Sequence, residues 1–265
     1  MSLLDYLRTD PACTNLAEGA VHTVAPMLAD PDPTPVLTTL DAWAFTMAGR
    51  MPLPWSIHGA IDALNHFLFE EIGLQGNHRT HQDAAALALP LVIERRQGLP
   101  ITLSILWIDL ARRLGMDAVG VALPGHFVTG LRLDVGVLYF DAFHQGRALG
   151  QEDAERIVRK LTQGRIPFDA SMLEPVANRT ILFRLARNCY SRFLRTQDWE
   201  DALWSATHMI MLTPEAPDPY KDRAFVHLKR GDIAATLGDL QIADRWSPAE
   251  DTQVHEWIQR LQEGI

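Results

Sequence analysis

One segment constrains the fold more than any other. From Ile101 to Leu114, apolar side chains take up most of the helical circumference: Ile101, Leu103, Ile105, Leu106, Trp107, Ile108, Leu110 and Leu114. A helix that is apolar nearly all round must be enclosed by other elements. Its ends are well marked. Pro100 suits the first helical position, Arg112 and Arg113 suit the last turn, and Gly115 suits the cap beyond it. The rest of the chain has to supply a shell for this helix.

The segments on either side show what that shell is made of. Downstream, Ala118 to Leu123, His126 to Leu133 and Val137 to Phe143 read as strands, the last two flanking the turn cluster Asp134-Val135-Gly136. A polar helix from Gln151 to Leu161 closes this region. Upstream, Leu16, Ala20 and Val24 recur at helical spacing until Pro31-Asp32-Pro33-Thr34-Pro35 stops the pattern. A helix from Pro35 to Met47 follows, then a break at Met51-Pro52-Leu53-Pro54. Ile57 to Phe69 is amphipathic, with Ile57, Ile61, Leu64 and Leu68 on one stripe, and Gly73 to Arg79 reads as a loop. The fold class expected is α+β and mainly helical, with a small antiparallel sheet around the Ile101–Leu114 helix.

From about Asn178 onward the pattern is helical and repeats. Aligning Pro214 with Pro248 places Gln197-Asp198-Trp199 over Gly231-Asp232-Ile233, Ala186 over Tyr220, Ala206 over Leu240 and Met209 over Ala243. A helix-turn-helix unit of this period is that of tetratricopeptide repeats. Two such units cannot bury their faces alone, so further packing is expected.

Composition excludes several function classes. The 265 residues are 47% hydrophobic and 22% charged, as in a globular protein. A net charge of −9 argues against a general nucleic-acid binder, which needs a basic face. Two cysteines, Cys13 and Cys189, cannot build a disulfide framework, so a reducing cytoplasmic compartment is expected. The N-terminus shows no basic patch followed by an apolar run, and the longest apolar stretch, Ala84 to Ile93, contains Pro90. No signal peptide and no membrane span are expected.

Chemistry concentrates in mid-chain: Glu94 to Ser104, then Pro124-Gly125-His126-Phe127, then Tyr139-Phe140-Asp141-Ala142-Phe143. A buried helix start followed by a histidine and an aspartate on adjacent strands is the order a Cys-His-Asp enzyme uses. The helix start lowers the nucleophile's pKa, the histidine takes its proton and the carboxylate orients the histidine. Same-face positions in an unbulged antiparallel hairpin share the parity of the pairing sum. His126 and Asp141 sum to an odd number, so they share a face if the loop has an even number of residues. Two residues at Asp134-Val135, or four from Leu133 to Gly136, meet that condition; three would separate them.

These stretches resemble the bacterial SirB-type, transglutaminase-like family. Arg-Arg-x-Gly-x-Pro-Ile-x-Leu-Ser from Arg95, Pro-Gly-His-Phe from Pro124 and Asp-Ala-Phe from Asp141 fall in order, and Tyr220-Lys221-Asp222-Arg223-Ala224 extends the likeness. The resemblance implies an N-terminal helical region over 1–75, a transglutaminase-like (papain-like) core over 76–170 and tetratricopeptide-like helical repeats over 171–265. It also implies that His126 and Asp141 match the superfamily's catalytic histidine and aspartate. The nucleophilic cysteine has no counterpart here. Counting about four turns back from Gly115 lands near Pro100, and neither Cys13 nor Cys189 lies in a matching motif.

Thr102 and Ser104 carry the hydroxyls nearest that position. A hydroxyl is a far weaker nucleophile than a thiol, so Thr102 reads first as a helix-start residue and Ser104 as a small packing residue. The pair His126 and Asp141 reads equally as structural or as functional. Two histidines in Asn77-His78-Arg79-Thr80-His81, with Asp83, have a spacing that can bind metal, but a polar loop is their ordinary home, so neither metal nor cofactor is expected. Arg95 and Arg96 read as helix-surface charge, and Trp199 and Trp204 as repeat packing.

Two functions follow. The first is a non-catalytic protein- or peptide-binding or regulatory protein that uses its repeats, and not an active transglutaminase or cysteine protease. The second is a hydrolase or acyltransferase in which Ser104, Thr102 or a water activated by His126 attacks. The missing thiol favours the first, with a protein or peptide partner and neither nucleic acid nor membrane. The repeat surface equally suits self-association, which leaves the oligomeric state open.

Overall fold

The computed structural model describes residues 2–50, 56–76, 83–247 and 252–263. The expected break at Met51 to Pro54, the His78/His81 segment and the closing Pro248 lie outside the described residues. Two units are distinguished, Met1–Ile181 and Leu182–Ile265.

The first unit begins with α1 (Leu3–Thr9), α2 (Leu16–Thr23) and α3 (Thr34–Ala48). The Ser2 hydroxyl accepts the Asp5 amide while the Asp5 carboxylate accepts the Ser2 amide, a reciprocal cap that starts α1. The next helix, α4 (Ile57–Asn65), continues into a wider π-helical turn, His66–Glu71, so the amphipathic stretch expected over Ile57 to Phe69 is divided between the two. Then come β1 (Gln75–Gly76), a 3-10 turn at Ala84–Leu87, α5 (Leu89–Arg95), β2 (Gln97–Gly98) and α6 (Pro100–Arg113).

Helix α6 is the enclosed helix expected. Every residue from Ile101 to Ala111 is buried, and Trp107 is wholly so. Helices α2, α3 and α5 pack against it. Its one buried charge, Asp109, is satisfied on both oxygens: Oδ2 accepts the Ala17 amide at 3.1 Å and Oδ1 accepts Arg113 Nε at 2.7 Å. A buried carboxylate without such partners would cost several kcal/mol, on the order of the desolvation of an ion. Trp107 donates its indole N–H to Asn65 Oδ1 at 2.9 Å, and Asn65 in turn donates to the Gly146 carbonyl at 3.1 Å.

Strands β3 (Ala118–Val121), β4 (Val128–Leu133), β5 (Gly136–Asp141), β6 (Arg147–Leu149) and β7 (Pro175–Val176) form an antiparallel sheet in the order β6-β5-β4-β3-β7, and α6 packs on β3 and β4. Leu133 pairs with Gly136, leaving a two-residue loop at Asp134-Val135, so the even-loop condition holds. The expected strand limits move inward at the functional end. His126 and Phe127 precede β4, and Ala142–His144 is a 3-10 turn instead of an extension of β5. Helix α7 (Gln151–Leu161) lays Ala154 and Val158 against Val121, Leu123 and Val128.

Helix α8 (Asn178–Thr196) carries the division between the units. The second unit then holds α9 (Trp199–Leu212), α10 (Pro217–Lys229), α11 (Ile233–Trp246) and α12 (Gln253–Glu263). Helices α9 and α11 begin 34 residues apart (199 to 233) and end 34 apart (212 to 246). Asp198 and Asp232 cap them in the same way, and each cap is preceded by a left-handed residue, Gln197 at φ 57° and Gly231 at φ 77°. Tyr220, Ala224, Leu240, Ala243 and Val254 form one apolar cluster of this unit's core. Beside it, Arg223 grips Asp239 with two parallel bonds of 2.8 and 2.7 Å.

Candidate functional site

The turn that presents His126 depends on glycine. Gly125 sits at φ +76°, and a Cβ there would meet the Leu161 Cβ at 3.0 Å, so a side chain would be strained in conformation and crowded in space. The His126 amide closes the turn by donating to the Leu123 carbonyl at 3.1 Å. On the other side, Gly76 lets β1 approach the 3-10 turn; a Cβ there would lie 2.3 Å from the Phe143 carbonyl oxygen.

Asp141 ends β5 and caps that 3-10 turn. Its Oδ1 accepts the amides of Phe143 at 3.0 Å and His144 at 3.3 Å. This leaves Oδ2 directed at two imidazoles. His126 Nε2 and His144 Nδ1 each lie 2.8 Å from it. An ionised carboxylate only accepts, so both ring nitrogens are donors. A singly protonated His126 therefore carries its proton on Nε2. Burial pushes the Asp141 pKa up, but the hydrogen bonds and charges of His126 and His144 outweigh it and hold the carboxyl below its ordinary value.

His126 and Asp141 are buried, at 7% and 1% exposure, and the His126 ring meets the Phe143 ring edge-on at 6.2 Å between centroids. His144 is exposed. A cavity of about 110 Å³ reaches Asp141 and His144 and is lined also by Arg147, Asp153 and Arg156. The ligating atoms of His126, Asp141 and His144 all lie within 4.8 Å of one another.

The two hydroxyls are placed differently. Thr102 Oγ1 accepts the Leu99 amide at 2.9 Å and donates to the Ala86 carbonyl at 2.9 Å. It therefore caps the start of α6 and ties it to the Ala84–Leu87 turn. Ser104 Oγ faces the Phe127 carbonyl at 3.5 Å, the outer limit of a hydrogen bond. Both hydroxyls are wholly buried, and neither is hydrogen-bonded to His126. The structure thus brings His126 and Asp141 together and directs Thr102 and Ser104 to backbone groups.

The cysteines lie elsewhere. Cys13 is buried, with Tyr6, Asp10 and Arg179 as its electrostatic neighbours, and burial pushes its thiol up. Cys189, on α8, is buried too, and desolvation drives its thiol well above the ordinary range. Neither environment favours a thiolate. His144 is the residue that sequence reasoning missed. Its signal was the spacing Asp-x-x-His at the end of a strand, which a 3-10 turn folds back onto the carboxylate.

The model described as Transglutaminase-like superfamily matches residues 34–187. A UPF0162 protein of Xylella fastidiosa is 38% identical over 181 residues, 67% of this chain and 64% of that protein. A UPF0162 protein of Pseudomonas aeruginosa is 29% identical over 240 residues, 91% of this chain and 87% of that one. Human F-box only protein 21 is 32% identical over 106 residues, which is 37% of this chain and 17% of that protein. The chain spans 64% and 65% of the length of the two Xylella fastidiosa relatives. No solved structure matches it.

Proposed function

This chain belongs to the transglutaminase-like superfamily, and on that premise we propose that it is a SirB-type member that binds a protein or peptide partner instead of transferring acyl groups. The observation that carries this reading is a His126–Asp141 couple at 2.8 Å with no thiol at the helix start that the superfamily's cysteine occupies. The two hydroxyls that follow that helix start, Thr102 and Ser104, are directed to the Ala86 and Phe127 carbonyls and not to this base.

The recognition surface belongs to the second unit, read as a pair of tetratricopeptide-like repeats. The 34-residue recurrence of α9 and α11, with their caps, supports that. So does an apolar cavity of about 520 Å³ lined by Leu194, Phe225, Leu228 and Trp257, with Lys221 and Arg260 among its walls. Those features suit a peptide that inserts apolar side chains.

The test is a peptide selection on the full chain, followed by anisotropy titration of the selected peptides. Leu228→Glu is expected to weaken binding by about tenfold or more, the loss typical of an interface anchor. Absence of any peptide tighter than about 1 mM, a free energy of about −4 kcal/mol, would refute the reading. The alternative, a hydrolase or acyltransferase built on His126 and Asp141 with Ser104, Thr102 or water as nucleophile, rests on the same intact couple. It predicts turnover that His126→Ala abolishes.

A further inference from the structure

We infer that His126, Asp141 and His144 form a binding site for a divalent transition-metal ion of the zinc class, an assignment independent of partner binding. Two imidazoles and one carboxylate are a donor set suited to zinc, and three protein ligands leave a coordination position for water. The three ligating atoms already lie within 4.8 Å of one another.

The spacing is close to what an ion needs. Bonds of about 2.0–2.1 Å at tetrahedral or right angles place neighbouring ligand atoms about 2.9–3.4 Å apart. Asp141 Oδ2 stands 2.8 Å from His126 Nε2 and 2.8 Å from His144 Nδ1, so each of these separations need grow by only a few tenths of an ångström. The exposed His144 ring supplies the adjustment that brings the two nitrogens together.

Outer support is in place. The two backbone amides on Asp141 Oδ1 pin the carboxylate and leave Oδ2 for the ion, the kind of second hydrogen-bonding layer that metal-bound carboxylates have. The cavity beside Asp141 and His144 gives access and room for water. Arg147 and Arg156 line it too, and both pair with Asp153. Loading the ion conserves protons. Each neutral imidazole shifts its proton to the other ring nitrogen, His126 to Nδ1 and His144 to Nε2, and the ion replaces the two hydrogen bonds to Oδ2.

The test is calorimetric titration of the untagged full chain with zinc chloride. One ion per chain is expected. His144→Ala and the bulkier His144→Gln should each lower the affinity by about 30-fold or more, since even outer-layer changes at metal sites cost about 10- to 100-fold. His66→Ala is the control, because His66 sits 3.0 Å from Glu70 and 3.7 Å from Glu71, a separate imidazole–carboxylate group. It should bind zinc as the unaltered chain does. No binding tighter than about 1 mM, equal affinity in both His144 variants and the parent, or loss in His66→Ala would each overturn the assignment. So would magnesium or calcium binding as tightly as zinc, since those ions select oxygen ligands.

Discussion

Replacing Asp141 by Ala and by Asn separates what its carboxylate does for the fold from what it does for His126. The side chain has four partners: the amides of Phe143 and His144 on Oδ1, and the imidazoles of His126 and His144 on Oδ2. Alanine removes all four contacts. The His144 ring is exposed, so water replaces its bond at little cost. The Phe143 amide and the His126 ring nitrogen are buried, and a buried polar group left without a partner costs about 1–3 kcal/mol. Two of them give a loss of about 4 kcal/mol for Asp141→Ala. Asparagine keeps the Oδ1 acceptor, and its Nδ2 can donate to His126 once that ring changes tautomer. What remains is the charge assistance of one or two bonds, about 1–2 kcal/mol. Urea denaturation followed by far-ultraviolet circular dichroism measures both. If Asn proves as damaging as Ala, or if both variants fall within about 1 kcal/mol of the parent, the reading of Oδ1 as a backbone anchor and Oδ2 as an imidazole acceptor is wrong.

Three further predictions come from other parts of the molecule. Asn65→Ala strips the partner from the buried Trp107 indole and should cost about 1–3 kcal/mol in the same denaturation experiment, whereas an unchanged midpoint would refute the Asn65 bridge. His22 is wholly buried, its ring nitrogens have no hydrogen-bond partner among the described residues, and burial, outweighing the Glu18 carboxylate 3.8 Å from Nε2, holds its pKa below the ordinary 6.5. Below pH 6.5 the unfolded chain therefore takes up a proton that the folded chain does not, and stability falls with pH by at most about 1.4 kcal/mol per unit until the folded pKa is reached. His22→Leu should flatten that slope, and an unaltered slope would contradict the assignment. Arg223→Lys removes the fork on Asp239 and should lower the melting temperature of the second unit, at a cost of about 1–3 kcal/mol, because an ammonium cannot make two parallel bonds; a melt identical to the parent's would count against it.

What the sequence made legible follows from periodicity and punctuation. Helix α6 was readable because eight apolar residues surround it and Pro100 and Gly115 bound it. Parity set the loop condition under which His126 and Asp141 share a face, and the Leu133–Gly136 pairing meets it; the 34-residue alignment placed Asp198 over Asp232, and α9 and α11 start just after them. Strands β6 and β7 were missed because three and two residues carry no alternation to detect. The π-helical turn at His66–Glu71 leaves the apolar stripe intact in sequence, so periodicity alone does not report it. His144 was missed for a related reason: it reaches Asp141 through a 3-10 turn, and the sequence there reads equally well as the end of a strand. Thr102 was seen as a helix-start residue, yet its tie to Ala86 spans 16 positions and depends on tertiary packing.

The central claim is that an imidazole aligned by a carboxylate sits in this core while the hydroxyls of Thr102 and Ser104 are turned to backbone groups. Intact-mass spectrometry of the full chain after exposure to an acyl donor and to a serine-reactive fluorophosphonate tests that most directly. The account predicts a mass unchanged by either reagent at the core. An adduct mapped to Ser104 or Thr102 that vanishes in His126→Ala would contradict it.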